Sequence, residues 1–242
     1  SGNLGDRRPM AQIHWNGGSD FGFGFEVAAA AGLTGSVDNQ DLDIFAGQFL
    51  TNERDGFDSG LPNGQIEIAV LFPTWVNGRR IRLGAFGLIG ALETDAPVGF
   101  GTDTDFTTWA AGVDFIIPLF ENIDLKGEFF VGEALADFRG GVAQSINLVT
   151  GEEIRTVGGF AEVFWRACDC FGFGLGGAID NPEFDDLADG DRASNWTAYL
   201  ATRFFAADNL TIGFDVMFWK TQYVNRDEGD TLRFDAFIEM RF

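Results

Sequence analysis

The 242-residue chain carries 37 acidic against 16 basic side chains, for a formal charge of −21, so it offers no basic face to a phosphate backbone and nucleic acid is excluded as a partner. Hydrophobic residues make up 45% at a mean hydropathy of +0.02, too apolar for a disordered chain, yet no run approaches the roughly 18 apolar residues that a membrane helix needs. The 27 Phe and 33 Gly need an explanation, and a β-barrel supplies one: aromatics face lipid while glycine packs inward and turn positions.

In chain order, strands are expected at Met10 to Trp15, Asp20 to Ala31, Gln65 to Phe72, Ile81 to Leu92, Thr107 to Leu119 and Ile123 to Leu135. They continue at Val157 to Ala167, Phe171 to Ile179, Ser194 to Phe205, Leu210 to Phe218 and Leu232 to Phe242. The period is two throughout. Phe21, Phe23 and Phe25 alternate with Gly22, Gly24 and Glu26, and Leu210, Ile212, Phe214, Val216 and Phe218 share a face opposite Thr211, Gly213 and Asp215. Phe171, Phe173, Leu175 and Ile179 oppose glycines. In the last strand the even positions are apolar and the odd ones charged, except Phe237. One face meets something apolar and the other meets water, in segments longer than a soluble sandwich requires.

The joints alternate in length. Short ones fall at Pro73 to Gly78, Glu121-Asn122, Asp169 and Ala207 to Asn209. Long ones fall at Leu33 to Pro62, Asp95 to Asp105, Asp137 to Arg155, Asn181 to Ala193 and Asn225 to Asp230. This is the rhythm of short periplasmic turns and long extracellular loops. The fold class is therefore all-β, a transmembrane antiparallel up-and-down β-barrel, as a single domain over residues 1–242.

About eleven strands are counted, whereas bacterial single-chain barrels have even numbers. Either Asp41 to Leu50 holds a twelfth, or N-terminal strands of a larger barrel precede this chain. The second is favoured, because Leu42, Phe45 and Phe49 are spaced like a helical turn. The chain opens on Ser1 without a signal peptide, as a mature or trimmed product would.

Acidic residues gather at Asp38 to Asp43, Asp180 to Asp191 and Asp227 to Asp230. They read as solvated loops, or as sites where divalent cations bridge to anionic lipid headgroups. Cys168 and Cys170 flank Asp169 in a tight turn, where a local disulfide is one reading. The single His14 lies too far away in sequence to complete a zinc site, and no metal or cofactor is expected. No Ser, His and carboxylate arrangement accompanies His14, and Gly22-Phe23-Gly24 and Gly172-Phe173-Gly174 precede no helix, so no enzyme is expected. The tryptophans Trp15, Trp75, Trp109, Trp165, Trp196 and Trp219 fall near segment ends, as interfacial aromatics do.

Several stretches, in this order along the chain, resemble the DcaP-like porins of Gram-negative outer membranes. They are Gly2-Asn3-Leu4-Gly5-Asp6-Arg7-Arg8-Pro9, Phe106-Thr107-Thr108-Trp109-Ala110-Ala111-Gly112-Val113-Asp114 and Leu125-Lys126-Gly127-Glu128-Phe129-Phe130. Gly158-Gly159-Phe160-Ala161-Glu162, Ile179-Asp180-Asn181-Pro182, Phe218-Trp219-Lys220-Thr221-Gln222-Tyr223, Gly229-Asp230 and the terminal Phe242 follow. The resemblance implies a homotrimeric porin of the outer membrane with about sixteen strands, of which this chain is the C-terminal part.

With the apolar faces toward lipid, parity assigns a pore lining. Its basic members are Arg80, Arg82, Lys126, Arg166, Arg203, Arg233 and Arg241; its acidic members are Glu26, Glu67, Asp114, Asp124, Glu128, Glu162, Asp215, Asp235 and Glu239. Most of the basic set falls toward the short turns. Such a ring pairs with carboxylates to hold the wall, or leaves arginines free to select small anions. The longest loop, Leu33 to Pro62, carries Ile44, Phe45, Phe49 and Leu50, which need something to pack on. It folds inward as a constriction or contacts a neighbouring subunit. The sequence thus reads as a passive channel for small hydrophilic or anionic solutes, in contact with outer-membrane lipid and lipopolysaccharide. The alternative is a non-conducting surface barrel whose loops occlude the lumen.

Overall fold

The computed structural model describes residues 10–18, 22–33, 61–76, 78–93 and 105–240. Eleven strands follow one another: β1 (Met10–Gly18), β2 (Gly24–Gly32), β3 (Asn63–Pro73), β4 (Arg80–Glu93), β5 (Asp105–Phe120) and β6 (Ile123–Glu133). Then come β7 (Arg155–Arg166), β8 (Phe171–Pro182), β9 (Arg192–Ala207), β10 (Leu210–Tyr223) and β11 (Arg226–Met240). They form one antiparallel sheet in chain order, each strand hydrogen-bonded to the next. The all-β, up-and-down architecture read from the alternation is therefore present.

Closure is not. Among the described residues, β1 and β11 each pair on one side only, so the sheet is an open meander rather than a finished cylinder. After eleven alternating strands the first and last run the same way, so an antiparallel ladder cannot join them. The segment Asp41 to Leu50, where a twelfth strand was considered, lies outside the described residues.

Register fixes the two faces. The outer face carries Ile66, Ile68 and Val70 of β3, Leu83 and Ile89 of β4, Val113 of β5, Phe129 of β6, Leu175 of β8 and Phe214 of β10. Most are about half exposed, and Leu175 reaches 67%. Monomeric soluble proteins do not leave so continuous an apolar surface in water. The phenylalanines of the alternating strands are thus not the core of a globule; Phe214 and Phe234 point outward at 57% and 69% exposure.

Aromatic rings over glycine recur across strand pairs on both faces. On the inner face Phe86 covers Gly112, Phe130 covers Gly158, Tyr199 covers Gly176 and Phe237 covers Gly213. On the outer face a methyl group on Gly127 would sit 2.6 Å from Phe115 Cζ. Rings filling glycine vacancies add packing to positions that would otherwise contribute none. This also accounts for Phe237, the one apolar side chain on the charged face of β11.

Two joints differ from their expected form. The long loop expected at Asn225 to Asp230 is a two-residue turn, Val224-Asn225, with β10 and β11 paired out to Tyr223 and Arg226. Asn225 sits at φ 53, a conformation that Asn tolerates better than most side chains. The charges at Asp227, Glu228 and Asp230 belong to a strand, as Lys220 Nζ confirms by bonding Glu228 Oε1 at 2.6 Å. The β6 strand ends at Glu133 rather than Leu135, because Ala134 takes a positive φ of 53 and turns the chain into the interior.

Of the six tryptophans, Trp15, Trp109, Trp165 and Trp196 lie on the outer face toward the strand ends and Trp75 in the β3–β4 turn. Trp219 instead points inward, opposite Thr197.

Candidate functional site: the inner wall and the inward segment

On the inner face, charge is organised around a few cations. Arg82, the second residue inward on β4, donates from Nε to Glu26 Oε2 at 2.9 Å and from its terminal nitrogens to Glu67 and Asp114. Register makes this reach possible: Glu26, Ala69, Gly84 and Asp114 form one row across β2 to β5, and a side chain on Gly84 would collide with the Asp114 carboxylate. Lys126 Nζ pairs with Glu162 Oε1 at 2.9 Å across β6 and β7, and the Tyr199 hydroxyl donates to Glu162 Oε2 at 2.9 Å. Arg203 pairs with Asp215 across β9 and β10.

The remaining members of the expected lining make other contacts. Arg233 bonds Asp235 at 2.9 Å within its own strand. Arg166 lies 4.7 Å from the centre of the Phe205 ring and Arg203 4.8 Å from that of Phe237, both cation–π distances. Asp124 is held by Arg79, at 2.7 Å, a residue of the β3–β4 turn that parity did not assign to the wall. Arg80 lies beside Gly24, Glu128 faces Asp114, and Glu239 faces Thr211. Arg241, with the loop residues Ile44, Phe45 and Phe49, lies outside the described residues. Glu162 is only 10% exposed at its side chain, so loss of Lys126 would leave a poorly hydrated charge.

What occupies the interior among the described residues is the connection between β6 and β7. Its 3₁₀ turns, Ala136–Phe138 and Gly141–Ala143, sit inside the sheet's curve. Leu135 packs on Ala110 and Phe130, with Phe86 and Leu88 against them, while Ala134 and Ile146 pack on Leu92 and Phe106. This small core lies on the inner face. Asp180, fully buried on β8, latches the segment: Val142 N–H donates to Oδ2 at 2.8 Å and the Thr156 hydroxyl to Oδ1 at 2.8 Å. Gly141, Val142 and Ala143 hold φ values of 62, 50 and 59, a run of left-handed residues that costs a β-branched side chain about 1–2 kcal/mol. Gln144 and the backbone of Arg192 exchange hydrogen bonds of 3.0 and 2.8 Å, and Asn147 donates to Asp186 O at 2.9 Å.

The first part of the connection expected as an outside loop at Asp137 to Arg155 therefore packs inward, while Leu148 and Val149 stay exposed, and Asp180, expected in a solvated acidic run, is buried. The available signal was Leu135, Phe138, Val142 and Ile146, apolar residues in a loop that required a surface to cover.

At the short-turn end, Cys168 and Cys170 are free, exposed thiols. A hydrogen bond from the Cys170 thiol lowers the pKa of Cys168, and the same contact raises that of Cys170. Among the described residues, no group of three or more His, Cys, Asp and Glu is arranged to hold a metal ion.

The outer membrane channel DcaP of Acinetobacter baumannii superimposes on 99% of this chain with a TM-score of 0.69 at 12% sequence identity. The fold is that of a DcaP-type outer-membrane barrel. This chain spans 65% of the length of that protein. OprB of Pseudomonas putida overlays 95% of the chain and 58% of its own at TM-score 0.45 and 14% identity, and the copper transporter OprC overlays 98% and 42% at 0.41 and 14%. No protein-family model and no characterised sequence matches the chain. In outer-membrane barrels generally the outward apolar face meets hydrocarbon, the short turns lie in the periplasm and the long loops outside the cell.

Proposed function

We propose that this chain forms the wall of a passive outer-membrane diffusion channel for small hydrophilic solutes, working without catalysis and assembled as a homotrimer. The observation that carries the reading is the inside-out polarity of the sheet: half-exposed Ile66, Val113 and Phe129 on one face, and Arg82, Lys126, Glu162 and Asp215 on the other. A wall of fixed, alternating charges offers polar solutes replacement partners for the water they shed. Arg82, Lys126 and Arg203 are each engaged by carboxylates, which supports hydrophilic solutes in general over anions. Residues 1–242 act as one barrel domain in this reading. Its outer face meets lipid, lipopolysaccharide bridged by divalent cations at the acidic loops, and neighbouring copies.

One observation favours a second reading, a non-conducting barrel: the segment after β6 fills part of the lumen. Single-channel recording in planar bilayers separates the two. The channel gives ohmic current steps in KCl. A correctly folded preparation that inserts and gives none refutes it.

A further inference from the structure

We infer that the β7–β8 turn is a binding site for one soft monovalent metal cation of the copper(I) class, held between the sulfurs of Cys168 and Cys170. Both thiols are exposed, and they lie in hydrogen-bond contact with each other across Asp169. The backbone that carries them is braced on both sides. Phe205 N–H of β9 donates to Cys170 O at 2.9 Å, and Arg166 N–H donates to Asn122 O of the β5–β6 turn at 2.8 Å. Cys168 N–H closes the turn itself on Phe171 O at 3.3 Å. Two donors held together beforehand lose little freedom on binding, which favours a small ligand that engages both at once.

The donor set decides which ion. Thiolates are soft ligands that select copper(I) and zinc, whereas calcium and magnesium take oxygen. Zinc in a structural site completes a tetrahedron of four ligands. Among the described residues, no third His, Cys, Asp or Glu is arranged with these two to hold a metal ion. A monovalent ion with a filled d shell is satisfied by two sulfurs in a line. Metal–thiolate bonds of about 2.3 Å set such sulfurs about 4–5 Å apart, a span that exposed thiols in mutual contact reach by turning about their own side-chain bonds. The surrounding charge suits a cation. Asp169 stands between the two cysteines, Arg166 is stacked over the Phe205 ring at 4.7 Å from its centre, and the chain as a whole carries −21.

The test is anaerobic titration of the reduced, detergent-solubilised protein with copper(I) against bicinchoninate as competing chelator, beside a titration with zinc(II). One copper(I) per chain is expected, and zinc should be lost on gel filtration. Cys168→Ser and Cys170→Ser should each weaken copper(I) binding by more than about 100-fold, beyond the 10- to 100-fold that loss of an outer hydrogen-bond partner costs a metal site. Both variants should keep the heat-modifiable gel mobility of a folded barrel, since the turn they alter is exposed. Zinc retained as firmly as copper(I), copper(I) retained by either serine variant, or copper(I) joining two chains into a dimer overturns the site. So does protein purified without reductant whose mass is short of the two thiol hydrogens, because a joined pair has no thiolate to offer. None of these readings uses bilayer conductance, so the site and the channel stand or fall separately.

Discussion

Removing the carboxylate at Asp180 should release the inward segment while leaving the sheet intact. In Asp180→Ala, Val142 N–H and the Thr156 hydroxyl each lose an acceptor at 2.8 Å in a fully buried position. A hydrogen bond to a charged group contributes about 1.5–3 kcal/mol, and water entering the vacated space recovers part of it, so a net loss of about 2–4 kcal/mol is expected. That loss falls on the segment, because its left-handed run at Gly141, Val142 and Ala143 is held in place by this latch and relaxes without it. The packing of Leu135 on Ala110 and Phe130 persists and limits the opening to one part of the connection. Hydrogen exchange read by mass spectrometry should then speed up in residues 136–146 by roughly 30-fold to 1,000-fold, the equilibrium change that corresponds to this energy. Thr156→Val, which keeps the carboxylate and its bond to Val142, should give a much smaller acceleration. Unchanged exchange in the segment, or an equal acceleration in β5 and β9, would refute the latch.

Three further outcomes follow from the wall, the outer face and the turn. Arg82→Ala strands Glu26, Glu67 and Asp114 together; after discounting for their partial exposure, a loss of about 2–3 kcal/mol in urea unfolding is expected, with reversal potentials shifted toward cations. Leu175→Arg, at the middle of the lipid-facing side of β8, should cost about 2–4 kcal/mol in folding into lipid bilayers; an unchanged folding equilibrium would place that face elsewhere than in lipid. Cys168, whose thiol is made more acidic by Cys170, should be alkylated ahead of Cys170 as pH rises through the ordinary thiol range, and Cys170→Ala, which removes the donor, should slow the alkylation of Cys168. A maleimide carried on a polymer too large for the pore should reach either thiol only after the outer membrane is permeabilised.

Most of the sheet was legible because a period of two survives any single substitution: each strand offers several positions that agree about its face. The alternation of Leu210 to Phe218 shows this, and so does the pairing of Asp215 with Arg203. Legibility failed where polarity stopped reporting on position. Asp227 to Asp230 look like loop residues because β11 extends beyond the apolar band, where water faces both sides of a strand. Asp180 looks solvated because nothing in its neighbours reveals that Val142 arrives from 38 positions away. Trp219 has the composition of an interfacial residue and the parity of an inward one, and parity prevailed. The inward segment was concealed for a related reason: its apolar residues keep no regular period, since the run at Gly141, Val142 and Ala143 has neither helical nor extended backbone.

The rings seated over glycines bear on how neighbouring strands find their alignment. A slide of one position would turn greasy side chains toward water and is opposed by hydropathy, but a slide of two keeps every residue on its proper side and meets no such opposition. At Phe86 over Gly112 and Phe130 over Gly158, such a slide drives an aromatic plane into a neighbour that has a side chain. These vacancies act as notches in a ratchet, and they fix the tilt, and hence the bore, that the alternating pattern alone leaves undetermined.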